Sequence, residues 1–190
     1  MIEVEVKARA RPETIGNILG LGATLIGTEN HRDLYFNSPL RDFKESDEAL
    51  RIRIKEEGAR LTYKGPKLDK ETKSRLELTV KIDSPEEMEK ILRALDFMRS
   101  AEVTKRRTKY ALDEAVVAFD EVVGLGSFVE VEISGDEDWE MQGSKALALL
   151  GRLGLGESIR SSYLELLAEK GRQDGQEKEE EDIDKSVQIH

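Results

Sequence analysis

The stretch Ile2–Lys7 alternates apolar and charged residues one for one. In an extended strand, successive side chains point to opposite faces, so its isoleucine and valines share one face and its glutamates and lysine share the other. The same two-residue period recurs in four later stretches: Ala49–Glu56, Lys73–Val80, Met98–Leu112 and Phe128–Ser134. The sequence therefore predicts a sheet with one apolar face and one charged face.

Between these stretches the spacing of apolar residues predicts helices from Pro12 to about Gly22, from Ser84 onward and over Trp139–Leu153. Ser84-Pro85-Glu86-Glu87 is typical of a helix start, with a capping serine followed by proline and acidic residues. Further extended segments are predicted at Ala23–Phe36, Leu61–Lys64 and Val116–Val122, with Gly65-Pro66 ending the second of them. Ser161–Lys170 is predicted as a short helix or strand. The class is α+β with an antiparallel sheet.

Composition narrows the kinds of site that the chain can hold. It has 190 residues, no cysteine, two histidines and a formal net charge of −10. Thiolate chemistry and a histidine-rich metal site are excluded, so a metal would be held mostly by carboxylates, which favours Mg²⁺, Mn²⁺ or Ca²⁺. The negative balance argues against non-specific nucleic-acid binding. The chain shows no membrane span and no signal peptide, so we expect a cytoplasmic protein with one domain over residues 1–170 and an acidic, disordered tail over 171–190.

The charged face carries both signs of charge. It collects Glu3, Glu5, Lys7, Arg51, Arg53, Lys64, Arg75, Glu77, Lys105, Arg107, Asp120, Glu130 and Glu132. One interpretation is an open sheet whose wet face carries cross-strand ion pairs of little energetic value. The other is a barrel of about eight strands closed on this face, with room for one small ligand. Buried cations need partners, so such a lumen would suit a metal-bound oligophosphate.

The motifs on this face resemble those of the CYTH superfamily, also called triphosphate tunnel metalloenzymes. In order they are Glu3-x-Glu5-x-Lys7, Tyr35-Phe36 before a loop, Arg51-x-Arg53, Lys64 in a Lys-Gly-Pro turn, Arg75-x-Glu77, Lys105 with Arg107, Asp120 and Glu130-x-Glu132. The resemblance runs from about residue 1 to 168. The segments Tyr35–Pro39, Ala49–Arg53 and Ser162–Leu167 are most similar to the class IV adenylyl cyclase branch. The resemblance to the CYTH superfamily implies an eight-stranded antiparallel β-barrel with helices packed outside.

The resemblance also implies roles for individual residues. The implied ligands of Mg²⁺ or Mn²⁺ are Glu3, Glu5, Asp120, Glu130 and Glu132. The implied triphosphate-binding residues are Lys7, Arg51, Arg53, Lys64, Lys105, Arg107 and Arg75. Glu5, Lys7 and Glu77 are the implied catalytic residues, although Glu77 equally fits a lumen salt bridge with Arg75 or Lys64. His31 is expected at the surface. Gly124-x-Gly126 is expected to be a hairpin turn rather than a phosphate loop, because no helix follows it.

Three functions fit this lumen. A class IV adenylate cyclase would convert ATP to cyclic AMP and pyrophosphate, whereas a triphosphatase would hydrolyse inorganic triphosphate, thiamine triphosphate or a nucleotide. A non-catalytic binder of triphosphate nucleotides is the third, and the two Glu-x-Glu pairs argue against it because simple binding of a polyanion does not require four carboxylates. The expected partner is thus a small-molecule triphosphate, with no nucleic acid and no membrane, and a homodimer is allowed.

Overall fold

Eight antiparallel strands close into a barrel in the computed structural model, which describes residues 2–67, 75–133 and 139–173. The strands are β1 (Ile2–Arg9), β2 (Thr24–Asn37), β3 (Ala49–Lys55), β4 (Gly58–Lys67), β5 (Arg75–Ile82), β6 (Met98–Leu112), β7 (Ala115–Val122) and β8 (Gly126–Ile133). Two helices lie between strands, α1 (Thr14–Gly20) and α2 (Pro85–Ala94), and α3 (Trp139–Arg152) follows β8. Around the barrel the strands follow the order β1-β5-β4-β3-β2-β6-β7-β8.

The barrel closes through β1. On one side β1 pairs with β8 from Val4↔Ile133 to Arg9↔Phe128, and on the other it pairs with β5 at Ile2↔Leu76 and Glu3↔Arg75. This closure confirms the predicted eight-stranded barrel and rules out the open sheet.

The apolar faces of the strands lie outside and are covered in two places. A larger core joins β1, β7 and β8 to α1 and α3, with Val6, Val129 and Val131 packing around Leu150 and Leu153. A smaller core joins β2 and β3 to α2 and the loop before β3, where Leu34, Ile52 and Phe43 are buried together with Leu92. Because the apolar residues are used outside, the charged residues of the same strands are left facing the lumen.

Most predicted elements are confirmed, and the differences have local causes. Helix α2 starts as expected, with the Ser84 hydroxyl accepting a 3.1 Å hydrogen bond from the Glu87 amide. Helix α1 begins at Thr14 rather than at Pro12, where the Thr14 hydroxyl accepts a hydrogen bond from the Arg11 amide. The turn predicted at Gly124-x-Gly126 is confirmed, with positive φ at both glycines.

Gly65-Pro66 does not end β4. The strand continues to Lys67, with a register shift against β5 between Lys64 and Lys67. A bulge is one of the few places where a strand accepts proline, because the missing amide hydrogen is not needed there. The predicted end of this strand was therefore wrong by about three residues.

Residues 161–190 form a separate unit, of which the structure describes 161–173. A helix over 163–173 begins with a capping box: the Ser162 hydroxyl accepts from the Glu165 amide at 3.2 Å, and the Ser162 amide donates to the Glu165 carboxylate at 2.6 Å. This decides between the predicted helix and strand, and the helix runs past Gly171. The predicted disordered tail otherwise falls outside the described residues. None of the helices in the described ranges has the length and apolar character needed to span a bilayer.

Candidate active site in the barrel lumen

Asp33 on β2 holds the two arginines of β3 in the lumen. Arg53 donates to both of its carboxylate oxygens at 2.7 and 2.6 Å, and the guanidinium of Arg51 lies 3.5 Å away. Burial alone would raise the pKa of Asp33, but Arg51 and Arg53 hold it well below its ordinary value. The buried Nε of Arg51 has no hydrogen-bond acceptor among the described residues. The Arg51-x-Arg53 motif thus presents its guanidiniums in fixed positions, with one donor unused.

A second group of charges lies on β6, β7 and β8. Asp120 accepts from Lys105 at 2.8 Å and from two nitrogens of Arg107 at 2.7 and 2.6 Å. Arg107 also donates to Glu130, and Lys105 lies 3.9 Å from the same carboxylate. Burial, together with the neighbouring Arg107, lowers the pKa of Lys105 to about 8. Four residues from three predicted motifs therefore meet in one network.

Lys7 is fully buried beside this network. Its Cα pairs with that of Glu130 across β1 and β8, and its ammonium lies 5.7 Å from the centroid of the Phe128 ring. The guanidinium of Arg9 also lies over this ring, at 4.9 Å. Phe128 is an apolar lumen residue that the charge pattern did not single out.

The remaining predicted cations lie on β4 and β5. Lys64 forms a 2.7 Å ion pair with Glu77, so the salt bridge considered for Glu77 is present. Arg75 is buried and lies 4.0 Å from Asp47, which also accepts from Lys67 at 2.5 Å. Arg75 therefore lies beside Asp47 in the loop before β3, whereas Arg51 and Arg53 lie beside Asp33.

The proposed metal ligands are carboxylates on neighbouring strands. Glu5 and Glu132 are direct cross-strand partners on the charged face, and Asp120 and Glu130 are bridged by Arg107. Within the described part of the chain, no three Asp, Glu or His side chains lie close enough together to form a ready metal site. For Glu3 the structure describes the backbone, which pairs with that of Arg75. Like charges directly opposite each other are destabilising, and oxygen donors are what Mg²⁺ and Mn²⁺ prefer. The donor set fits such an ion in chemistry, with Glu5 and Glu132 directly opposite each other across β1 and β8.

A further group in the lumen was not predicted. Glu29 on β2 accepts from Lys55 at 2.5 Å and from His31 at 2.8 Å, and it lies 2.5 Å from Lys109. Burial opposes ionisation of Glu29, but the hydrogen bonds from Lys109, Lys55 and His31 lower its pKa far below the ordinary value. His31 is 2% exposed, so its expected place at the surface was wrong.

The group of Glu29, His31, Lys55 and Lys109 was not predicted because apolar and polar residues do not alternate over residues 28–33 of β2. The outward residues Asn30 and Arg32 are exposed and as polar as the inward ones. The available signal was the alternation that follows: Leu34 and Phe36 pack in the outer core, so Asp33, His31 and Glu29, at odd positions, point into the lumen.

Known proteins resemble this chain over most of its length. The CYTH domain matches residues 1–163. "Putative adenylate cyclase MJ0240" from Methanocaldococcus jannaschii is 38% identical over 172 residues, covering 87% of this chain and 98% of that protein. The structure of PH1819 from Pyrococcus horikoshii OT3 has 39% identity and a TM-score of 0.84, covering 88% of this chain and 99% of its own.

A more distant solved structure has the same fold. The adenylyl cyclase homologue HpAC1 from Hippeastrum, reported to have a dominant triphosphatase activity, has a TM-score of 0.63 at 20% identity and covers 85% of this chain and 92% of its own. The barrel, its charged lumen and the match over residues 1–163 together place this chain in the CYTH family.

Proposed function

We propose that the lumen binds a triphosphate with Mg²⁺ or Mn²⁺ and that the protein is a class IV adenylate cyclase, converting ATP to cyclic AMP and pyrophosphate. The observation that carries the proposal is the group of cations in the middle of the barrel, of which Lys7 and Lys105 are buried and the three arginines are mostly buried. They are Lys7, Arg51, Arg53, Lys105 and Arg107, set among the carboxylates of Asp33, Asp120 and Glu130 and those of Glu5 and Glu132 on β1 and β8. A divalent ion on the carboxylates would leave these cations to bind an anion. Buried cations are costly without partners, and a polyanion would balance them.

Arginine is suited to this task because its planar fork of donors matches phosphate oxygens. The unused Nε of Arg51 offers a donor that a phosphate oxygen can accept. Lys64 and Arg75 would extend the grip toward the β4–β5 side of the barrel. Lys7, fully buried, would stabilise negative charge that develops on the phosphates during reaction.

A divalent ion held by Glu3, Glu5, Asp120, Glu130 and Glu132 would lower the pKa of the attacking hydroxyl and neutralise phosphate charge. Arg107 now bridges Asp120 and Glu130, so metal loading would be coupled to movement of this guanidinium toward substrate. Glu5 would orient the ion, and Glu77, paired with Lys64, would position that ammonium.

The cyclase proposal is supported by the 38% identical relative that carries an adenylate cyclase name. A triphosphatase acting on inorganic or thiamine triphosphate is the second candidate, favoured because every contact described in the lumen suits a phosphate chain and none requires a nucleoside. The related fold of HpAC1, with its dominant triphosphatase activity, is consistent with this alternative. A non-catalytic binder would not need the two Glu-x-Glu pairs.

The test offers ATP, inorganic triphosphate and thiamine triphosphate separately to the full chain with Mg²⁺ or Mn²⁺, and resolves the products. Cyclic AMP with pyrophosphate would establish the cyclase. Orthophosphate from a triphosphate, with ATP intact, would establish the triphosphatase. Binding of triphosphate by calorimetry without turnover of any of the three would leave only the binder.

A further inference from the structure

His31 is a buried side chain whose environment is unusual for a structural histidine. It lies on the lumen side of β2, with its Cα opposite that of Lys105 on β6. Its Nε2 lies 2.8 Å from the Glu29 carboxylate. Its Nδ1 is buried and has no hydrogen-bond partner among the described residues. Buried polar atoms are nearly always paired, so this nitrogen calls for a ligand.

The partner of Nε2 determines the tautomer of the ring. Glu29 is held ionised by two lysines, so its oxygen can only accept, and Nε2 must carry the hydrogen. Nδ1 of the neutral ring is then a bare lone pair. A carboxylate that orients one nitrogen and leaves the other as an acceptor is the arrangement by which histidine serves as a general base.

The position of His31 brings this acceptor to the phosphate-binding cations. Directly opposite residues in a sheet have Cβ atoms about 5 Å apart, so a phosphate bound to Lys105 would lie next to the imidazole. The charged groups facing His31 are Glu29 and Asp33 on β2, Arg53 and Lys55 on β3, Lys105, Arg107 and Lys109 on β6, and Asp120 on β7.

We propose that His31, oriented by Glu29, is the general base of the reaction and accepts the proton of the attacking oxygen at Nδ1. This inference rests on the proposed function. The O–H bond of the ribose 3′-hydroxyl, or of water in a triphosphatase, breaks and its proton moves to Nδ1. The oxygen forms the new bond to phosphorus, and the bond to the leaving group breaks with its electron pair. The leaving group is pyrophosphate in the cyclase and the diphosphate part of the substrate in a triphosphatase. The imidazolium returns its proton to solvent as product leaves.

The basicity of His31 is linked to the presence of substrate. In the free protein, burial and the nearby Arg53, Lys105 and Arg107 lower the pKa of His31 to about 3. A bound triphosphate would neutralise these three cations and raise the pKa again. The imidazole would then be a weak base in the empty lumen and a stronger one beside substrate.

One variant and a matched control test the role of Nδ1 separately from that of Nε2. His31→Gln places an amide donor near Nε2 and can keep the bond to Glu29, but it has no acceptor at Nδ1. We expect it to lower kcat by about 100-fold or more with KM changed less than about threefold, and to remove the acidic limb of the pH profile. Asn30→Ala, one residue away on the outer face and exposed, should keep wild-type kcat and pH profile.

Nuclear magnetic resonance of the ¹⁵N-labelled imidazoles gives a readout without turnover. Only two histidines are present, so the His31→Gln spectrum assigns both. We expect His31 to be the Nε2–H tautomer above pH 5 and to protonate at higher pH when inorganic triphosphate is added.

If the wild-type protein turns over substrate and His31→Gln does so at the same rate, the base role is overturned but the proposed function stands. An Nδ1–H tautomer of His31 would overturn the base role in the same way. A wild-type protein that turns over none of the triphosphates would overturn the proposed function as well.

Discussion

Arg53 and Asp33 form a bidentate ion pair in the barrel lumen, with the guanidinium donating at 2.7 and 2.6 Å to a carboxylate that is 1% exposed. The pair joins β3 to β2 and leaves Arg51 next to the same carboxylate. Asp33 therefore occupies part of the space in which a phosphate would meet both arginines.

Replacing Asp33 by Asn should leave Arg51 and Arg53 buried without a counter-charge. We expect the free energy of unfolding to fall by about 3 kcal/mol in urea denaturation. Saturating inorganic triphosphate should recover more of the lost stability than it adds to wild type, because the anion replaces the carboxylate. The control is Glu102→Gln, which removes an exposed pair with Arg32 and should cost under about 1 kcal/mol. Equal stability of Asp33→Asn and wild type would contradict the role of Asp33.

Neighbouring arginines on β6 provide a matched test of the lumen. Arg107 binds Asp120 and Glu130 inside, whereas Arg106 pairs with Glu121 on the exposed outer face. Arg107→Ala should raise the KM for triphosphate at least about tenfold, since charged hydrogen bonds contribute about 1.5–3 kcal/mol. Arg106→Ala should stay within about twofold of wild type. A similar KM for both variants would place the phosphate away from β6.

Burial of neutral His31 should make stability depend on pH. Its pKa is about 3 in the folded protein and 6.5 when unperturbed, so between these values the unfolded chain binds more protons and stability falls as pH falls. Between pH 7 and pH 5 this single group would cost about 2 kcal/mol. Urea denaturation at both values should show this loss in wild type and a smaller loss in His31→Gln. The same loss in both proteins would show that other groups cause it.

Metal dependence should be sensitive to the Glu5–Glu132 pair. Removal of divalent ions with a chelator should abolish turnover, and Mg²⁺ or Mn²⁺ should restore it. Glu132→Gln keeps the shape of the side chain but removes one charge, so the Mn²⁺ concentration giving half-maximal rate should rise by about tenfold or more. The matched control is Glu121→Gln on the outer face of β7, which should need no more metal than wild type. A normal metal requirement in Glu132→Gln would remove Glu132 from the ligand set.

The sequence predicted the barrel well where one face of each strand is apolar. Strand β8 is the clearest case, because Val129, Val131 and Ile133 pack under α3 and leave Glu130 and Glu132 inside. The common face of Lys105, Asp120 and Glu130 was also predicted, but their ion-pair network was not, because the motifs implied separate roles in phosphate and metal binding. In strands with this regular alternation, an odd or even position in the sequence is enough to assign a residue to the lumen or to the outer face.

The predictions failed where the outer face is wet or the register shifts. In β2 the exposed Asn30 and Arg32 masked the inward Glu29 and His31, so parity carried no apolar signal. In β4 the bulge at Gly65-Pro66 was mistaken for a strand end. Contacts between side chains far apart in the chain, such as Glu29 with Lys109, depend on the pairing of β2 with β6 and cannot be obtained from local spacing.

The pairing of β1 with β8 fixes the pattern of charge on one wall of the lumen. It places Glu5 opposite Glu132 and Lys7 opposite Glu130, in a ladder that runs from Val4↔Ile133 to Arg9↔Phe128. A slip of this ladder by one residue would turn these charged side chains to the apolar outer face and bring valines into the lumen. The spacing between the candidate metal-binding and phosphate-binding side chains is thus set by backbone hydrogen bonds rather than by the rotamers of long side chains.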